Sequence, residues 1–332
     1  MAAFNGIRKS LVRSLYDVQK QRIEIGNRIC AEIKARLGQQ PSQSETVLEA
    51  EAKKYLREAR KEFKRITDCF VLTRANVYLK VQYSDYEIIT DAAMLIFVEL
   101  YEQQLDHEEH MAKVIAKLVQ QHGLWGAFLE GVPGCGPLMS AVILTEFDIE
   151  KAERISQFWK FAGLDVADDG RGRGRYKEHL VDQEYTTKDG ETKTKKSITF
   201  NPFLKTKLVG VLAPSLIKDV EYAPCDMETY ESTAEDRRKM KKDKETGEDV
   251  PHVIIREGHY RKLYSDYKRR LANHPNHEEK SKGHRNNMAL RYCVKIFLQD
   301  LWLAWRELEG LAITQPYNEA VLGHEHHKND AA

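Results

Sequence analysis

Apolar residues recur along the first third of the chain at the spacing of one helix face. From Ile7 they return at Leu11, Leu15, Val18, Ile25, Ile29, Ile33 and Leu37, in steps of three, four or multiples of these, while Lys and Arg fill the other faces. The spacing predicts one long amphipathic helix, broken at Gly38 and Pro41. Ser42 with Glu45 matches a capping box, and Ala52, Leu56, Ala59, Phe63, Ile66 and Phe70 continue the pattern in a second helix. Ser84 with Glu87 repeats the box before a third helix, expected to run to about Gln121 and to span roughly 55 Å at ~1.5 Å per residue. Such lengths suit a dimerising coiled-coil arm and equally a plain helical bundle. Nothing in this third offers catalytic chemistry.

After Gly123 the texture changes. A short helix, LWGAFLE, leads into GVPGCGPLMSAVILTEF (residues 131–147), which sets three glycines and two prolines in seven residues before an apolar helix. A helix ERISQFWKFAGL follows, then a glycine and arginine segment, ADDGRGRGRYKEHL. The stretch EYTTKDGETKTKKSITF alternates in part around Asp189-Gly190, a β-hairpin signal. NPFLKTKLVGVLAPSLIK is helical in period, with Pro214 expected to kink or end it. Residues 222–250 are dense in both charge signs and poor in apolar residues, the composition of a mobile linker or insertion. HYRKLYSDYKRRL and NNMALRYCVKIFLQDLWLAWREL predict two amphipathic helices, and the His-rich tail is expected to be disordered. The fold class is therefore mainly α: a helical coiled-coil arm over residues 1–122, a helix-hairpin-helix α domain with a small β-hairpin over residues 123–318, and a tail over residues 319–332.

Composition narrows the function classes. The 332 residues suffice for two cores, and a net charge of +1 excludes a global basic field, so any nucleic-acid surface must be local. Five scattered cysteines, never in a C-x-x-C pair, suit a reducing compartment without a zinc ribbon. The N-terminus has no continuous apolar h-region, and the longest apolar run, AAMLIFVEL, is far below the roughly 20 residues of a membrane span. A cytoplasmic protein with no membrane contact is expected.

The glycine turn carries the first candidate chemistry. Gly134 and Gly136 are able to take positive φ and leave N–H groups uncovered, and Pro137 suits the first turn of the next helix. Free amides at a helix start hold a phosphate oxygen without reading bases. The other reading is a structural αα-hairpin closed by a tight turn. Arg171, Arg173 and Arg175, with Lys188, Lys193, Lys195 and Lys196 on the predicted β-hairpin, add positive charge nearby and fit a solvated surface equally well.

The order of these blocks, GVPGCGPLMSAVILTEF, QFWKFAGL, SITFNPFLKTKLVGVLAPSLIK, HYRKLYSDYKRRL and KGHRNNMALRYCVKIFLQDLWLAW, resembles the C-terminal domain of the insertion sequence 110/116/902 family of transposases. The N-terminal helices resemble that family's coiled-coil linker. The resemblance implies DNA binding, DNA transposition and recombination, a homo-oligomer paired through the N-terminal helices, and a guide RNA among the partners. It assigns DNA contacts to Val132, Gly134, Cys135, Gly136 and Leu138 in the turn, and to Arg171, Arg173, Arg175, Lys195, Lys196, Lys205, Lys282 and Arg285.

Two family features are not matched. The RuvC-like domain with its four acidic metal ligands has no counterpart here, so no metal site is carried over, and Mg²⁺ would enter only with a separately supplied acidic domain. The loop after A-G-L, where the family places a nucleophilic serine, holds none. Ser197, in the matching S-K-x-G-N-like block, is the nearest hydroxyl; it reads as a nucleophile or as a helix N-cap. Asp165, Asp168 and Asp169 suit either Mg²⁺ or pairing with Arg171 and Arg173, the second being preferred. His284 reads as part of a basic surface beside Lys282 and Arg285. Tyr260, Tyr264 and Tyr267, at helical spacing, read as packing residues with exposed hydroxyls. The rival to a DNA-binding protein is an inactive regulatory partner that oligomerises with a full-length transposase.

Overall fold

The computed structural model describes residues 7–40, 42–44, 49–61, 70–72, 77–79, 92–243, 246–277 and 279–314. The chain is mainly α-helical and divides into two compact units, Met1–Leu118 and Val119–Ala332.

In the first unit α1 spans Lys9–Arg36 and α2 spans Ala50–Lys61. A short antiparallel pair follows, β1 (Phe70–Leu72) with β2 (Val77–Leu79), and then α3 begins a run over Ala92–Gln120. α1 buries Val12, Leu15, Ile29, Cys30 and Ile33. This is the face on which Leu15, Ile29 and Ile33 were expected; Leu11, Val18 and Ile25, also assigned to it, are only half-buried. Arg22 ties α1 to α3 by donating from Nε to Glu108 Oε2 at 2.6 Å, and Gln19 reaches the same carboxylate at 2.7 Å. One expectation fails: Phe70 lies in a strand, not in the second helix. FVL and VYL are short apolar runs of strand-forming residues, which fit either period until a partner strand decides. Of the two expected capping boxes only Ser42 is described, in a turn at φ +70°; Glu45, Ser84 and Glu87 lie outside the described residues, as does the tail.

The second unit is built on its last helix. α4 (Gly123–Ala127), α5 (Pro137–Glu146) and α6 (Ile155–Phe161) come first, followed by a two-stranded ribbon, β3 (Val181–Thr186) with β4 (Thr192–Ser197). α7 (Pro202–Lys207) and α8 (Ala213–Leu216) are joined by a π-helical turn, Leu208–Leu212. Pro214 cannot donate to the carbonyl four residues back, at Gly210. The wide turn absorbs that loss without ending the run. After α8 come β5 (Val220–Pro224), α9 (Met227–Ser232), β6 (Arg238–Lys242) and β7 (Asp249–Glu257), then α10 (His259–Ala272) and α11 (Lys282–Leu308). From Ile296 to Trp302 every residue of α11 is buried, as suits a helix covered on all sides. Its Trp305 meets Phe158 of α6 edge-on and its Phe297 lies against Phe128. Trp302 Nε1 donates to Ala152 O at 2.8 Å, and buried Arg306 donates to the carbonyls of Ala152, Ile149 and Ala312.

Residues 222–250 are not a linker. They supply most of a three-stranded antiparallel sheet in the order β5-β7-β6, with a register shift at Glu221/Tyr222. Some of its charges find partners, and the flanking residues supply others. Arg237 meets Glu257 at 2.8 Å, Arg256 bridges Asp219 and Glu221, and Lys239 sits 3.4 Å from the centre of the Tyr222 ring. Cross-strand pairing of opposite charges stabilises strands that a count of apolar residues would reject.

Candidate nucleic-acid interface

The glycine turn is rigid. His122 caps α4 by accepting from Leu124 N, a single 3-10 turn spans Leu129–Gly131, and Val132 and Cys135 point into the core at 3% and 2% exposure. Cys135 N donates to Val132 O at 3.0 Å. Gly134 has φ +87°, in the left-handed region, and a methyl group on it would meet the Ser215 main chain at 2.7 Å. Only glycine fits on both counts. Gly136 is the N-cap of α5 at φ −69°, with Pro137 behind it and no capping side chain. Among the described residues the exposed Gly134 and Gly136 donate no hydrogen bond from their N–H groups. The first-turn amides of Leu138 and Met139 have no carbonyl inside the helix either. Burial pushes the Cys135 thiol up to about 11, so it packs as an inert apolar group beside Ser140. Val132 and Cys135 can therefore meet a ligand only through their backbone.

The A-G-L block forms a Schellman close to α6: Leu164 N donates to Trp159 O at 2.8 Å and Gly163 N to Lys160 O at 3.1 Å, with Gly163 at φ +65° against the Phe200 ring. The arginine loop then folds back on itself. Ala167 N donates to Arg171 O, Gly170 turns at φ +75°, and Val166 bridges Gly172. Gly174 N donates to His179 Nδ1 at 2.9 Å, which places the ring proton on Nε2, donated to Asp169 Oδ2 at 3.0 Å. With both nitrogens engaged, buried His179 is a brace for the loop. Asp169 also accepts from Arg171 N, and that bond, followed by the one from His179, holds its carboxyl below the usual range.

The arginines differ in burial although their spacing of two would put them on one side of a regular strand. Arg171 and Arg175 are exposed, whereas Arg173 turns inward and donates from Nε to Asp165 Oδ2 at 2.8 Å. Lys205 of α7 donates to the Arg173 carbonyl and lies 4.6 Å from the centre of the Phe200 ring. Two cations of α11 complete the cluster. Arg291 donates to Gly163 O and lies where a Gly172 side chain would be, and Lys295 sits 4.3 Å from the centre of the Trp159 ring. Desolvation, then the charge of Arg291, pushes Lys205 down to about 8; burial lowers Arg291 and Lys295 as well.

The ribbon is exposed on both faces apart from half-buried Ser197. Its register puts Val181, Gln183 and Tyr185 on one face with Ser197, Lys195 and Lys193, and no strand residue of that face is acidic. Lys195 lies 5.2 Å from the Tyr185 ring centre. Lys196 is on the other face, opposite Asp182. Lys282 and Arg285 stand in the first turn of α11, capped by Ser281, where a helix favours acids over bases.

Ser197 pairs with Val181 at the end of β4, and the N-cap of α7 is Asn201, whose Oδ1 accepts from Leu204 N at 3.1 Å. The N-cap reading of Ser197 is thereby corrected. So is the expected exposure of two tyrosine hydroxyls: Tyr260 donates to Asp300 at 2.8 Å and Tyr264 to Asn286, while Tyr267 stacks on Tyr292. Among the described residues no group of three or more His, Cys, Asp or Glu is placed to hold a metal ion. Sequence reasoning missed Arg291 and Lys295. Their signal was available, two cations four residues apart inside an apolar helix run, hence on one face. Among the described residues no helix is long and apolar enough to cross a membrane. Compared with family models, curated proteins and solved structures, the chain has no match.

Proposed function

We propose that this protein binds DNA through the phosphate backbone and acts in transposition or recombination, as the order of its motifs suggests. The observation that carries the reading is the turn at residues 134–136: a glycine locked against Ser215, followed by an uncapped helix start, with the N–H groups of Gly134 and Gly136 unpaired among the described residues. Unpaired donors at a helix start suit a phosphate oxygen. The ribbon face that carries Tyr185, Lys193 and Lys195 has no acidic strand residue, Lys193 reaching Glu191 of the turn at 3.0 Å, and is suited in charge to a nucleic-acid groove.

The test is duplex DNA binding at ~50 mM and ~200 mM salt, where backbone contacts predict a steep loss of affinity. The informative variant is Gly136→Glu, because nothing lies within 4 Å of the added Cβ and φ is ordinary. Loss of affinity with an unchanged circular dichroism spectrum supports the reading; unchanged affinity rejects the turn as the contact.

A second reading, an oligomerising partner of a full-length transposase, is favoured by exposed Ile96, Leu100 and Val114, which share one stripe of α3. Co-purification with such a transposase and no DNA affinity of its own would select it.

A further inference from the structure

The cluster around Asp165 is built unlike a set of structural ion pairs. Arg173, Lys205, Arg291 and Lys295 gather at one place from a loop and two helices, with Arg175 close enough for Lys205 to feel its charge. Among the described residues Asp165 is the only carboxylate whose charge Lys205, Arg291 and Lys295 feel, and it is bonded to Arg173. The other three cations are positioned by groups that do not neutralise them. Lys205 has the Phe200 ring and a carbonyl, Lys295 has the Trp159 ring, and Arg291 has the Gly163 carbonyl. Among the described residues none of the three forms a salt bridge.

Like charges brought together and partly removed from water repel, and each loses hydration. The chain could relieve this with one more acid in the neighbouring loop, where Asp168 is instead exposed. Glycine at position 172 keeps the space that the Arg291 guanidinium fills. The cations are thus preorganised, half-buried and short of negative charge, the condition that a multiply charged anion relieves.

We propose that Arg173, Lys205, Arg291 and Lys295 form a binding site for one phosphate group carrying two negative charges, a phosphomonoester. The inference stands on the cluster alone and holds whether or not the glycine turn contacts a DNA backbone. Two sources share the chemistry, the terminal phosphate of a nucleic-acid strand and a small free phosphate.

The experiment uses the full chain and inorganic phosphate as the first probe, with sodium chloride at matched ionic strength as control. Thermal unfolding of the wild type is expected to shift upward with phosphate and not with chloride. Lys205→Met, which keeps the bulk and removes the charge, and Arg291→Gln are each expected to weaken phosphate binding roughly tenfold or more. Lys205→Met is also expected to melt higher than the wild type without phosphate, an outcome that a stabilising structural lysine would reverse. A second arm compares a 5′-phosphorylated with a 5′-hydroxyl oligonucleotide. Tighter binding of the phosphorylated strand, lost in Lys205→Met, assigns the site to strand ends, and equal binding assigns it to a small phosphate. No phosphate shift in the wild type, or the same shift in both variants, overturns the proposal.

Discussion

Gly134 and Ser215 approach so closely that a single added methyl group on the glycine would sit 2.7 Å from the serine carbonyl carbon. The turn between α4 and α5 is therefore packed directly against the end of α8. Gly134→Ala combines a left-handed backbone with a main-chain clash and should cost about 2–4 kcal/mol. Gly136→Ala should cost a few tenths to about 1 kcal/mol. Urea unfolding of the two variants checks the difference, and equal losses would contradict the packing.

Lys205 gives the cluster a pH signature. Its folded value is about 8 against the usual 10.5, so between those values the unfolded chain holds the extra proton and stability from this group rises with pH. The charged lysine beside Arg173, Arg175, Arg291 and Lys295 is unfavourable below that window. Buried Cys135 and Cys293 run the other way, since thiols raised from 9.0 to about 11 and about 12 lose stability for the fold above pH 9. The comparison that isolates Lys205 is between variants: the advantage of Lys205→Met in phosphate-free buffer should shrink steadily as pH is raised from ~7 to ~10. A gap that widens would mean the lysine is stabilised by its surroundings.

Asn201 performs two tasks with one amide. Its oxygen caps α7, and its nitrogen donates to the buried carboxylate of Glu146 at 2.6 Å. Asn201→Ala should cost about 2–3 kcal/mol, a cap plus a hydrogen bond to a charged group. Asn201→Asp keeps the cap and sets two carboxylates together, so its stability deficit should diminish as pH falls through the carboxylate range. Chemical denaturation at two pH values measures both.

The ribbon lysines should matter for binding and not for folding. Lys193 and Lys195 are exposed, and the face they share has no acid on either strand. Exchanging both for Gln is expected to leave the melting temperature unchanged. If each meets a phosphate, the slope of log affinity against log salt should fall by about 2. An unchanged slope places the DNA elsewhere.

The sequence made much of the helical content legible because helix faces repeat over many turns. Leu15, Ile29 and Ile33 could be placed on the buried face of α1 from spacing alone. Asp189-Gly190 likewise marked the ribbon turn, where Gly190 has φ +82°. The sheet of β5, β6 and β7 was hidden because its charged residues find their partners only across the fold, Arg256 reaching Asp219 and Glu221, and Lys239 the Tyr222 ring. Such pairs cannot be read in one window of sequence. The same holds for the candidate site: the arginine loop was visible, while Arg291 and Lys295 lie more than a hundred residues further along and join it only through the fold.

The exposure of the ribbon has an evolutionary consequence. Except at Ser197, none of its strand side chains serves the core, and Gly190 is the one position where the backbone dictates the residue. The core therefore tolerates lengthening, shortening or rewriting of this arm by residue pairs that preserve alternation. An arm so loosely bound to the fold's requirements can diverge with whatever surface it meets, while the body that carries it stays the same.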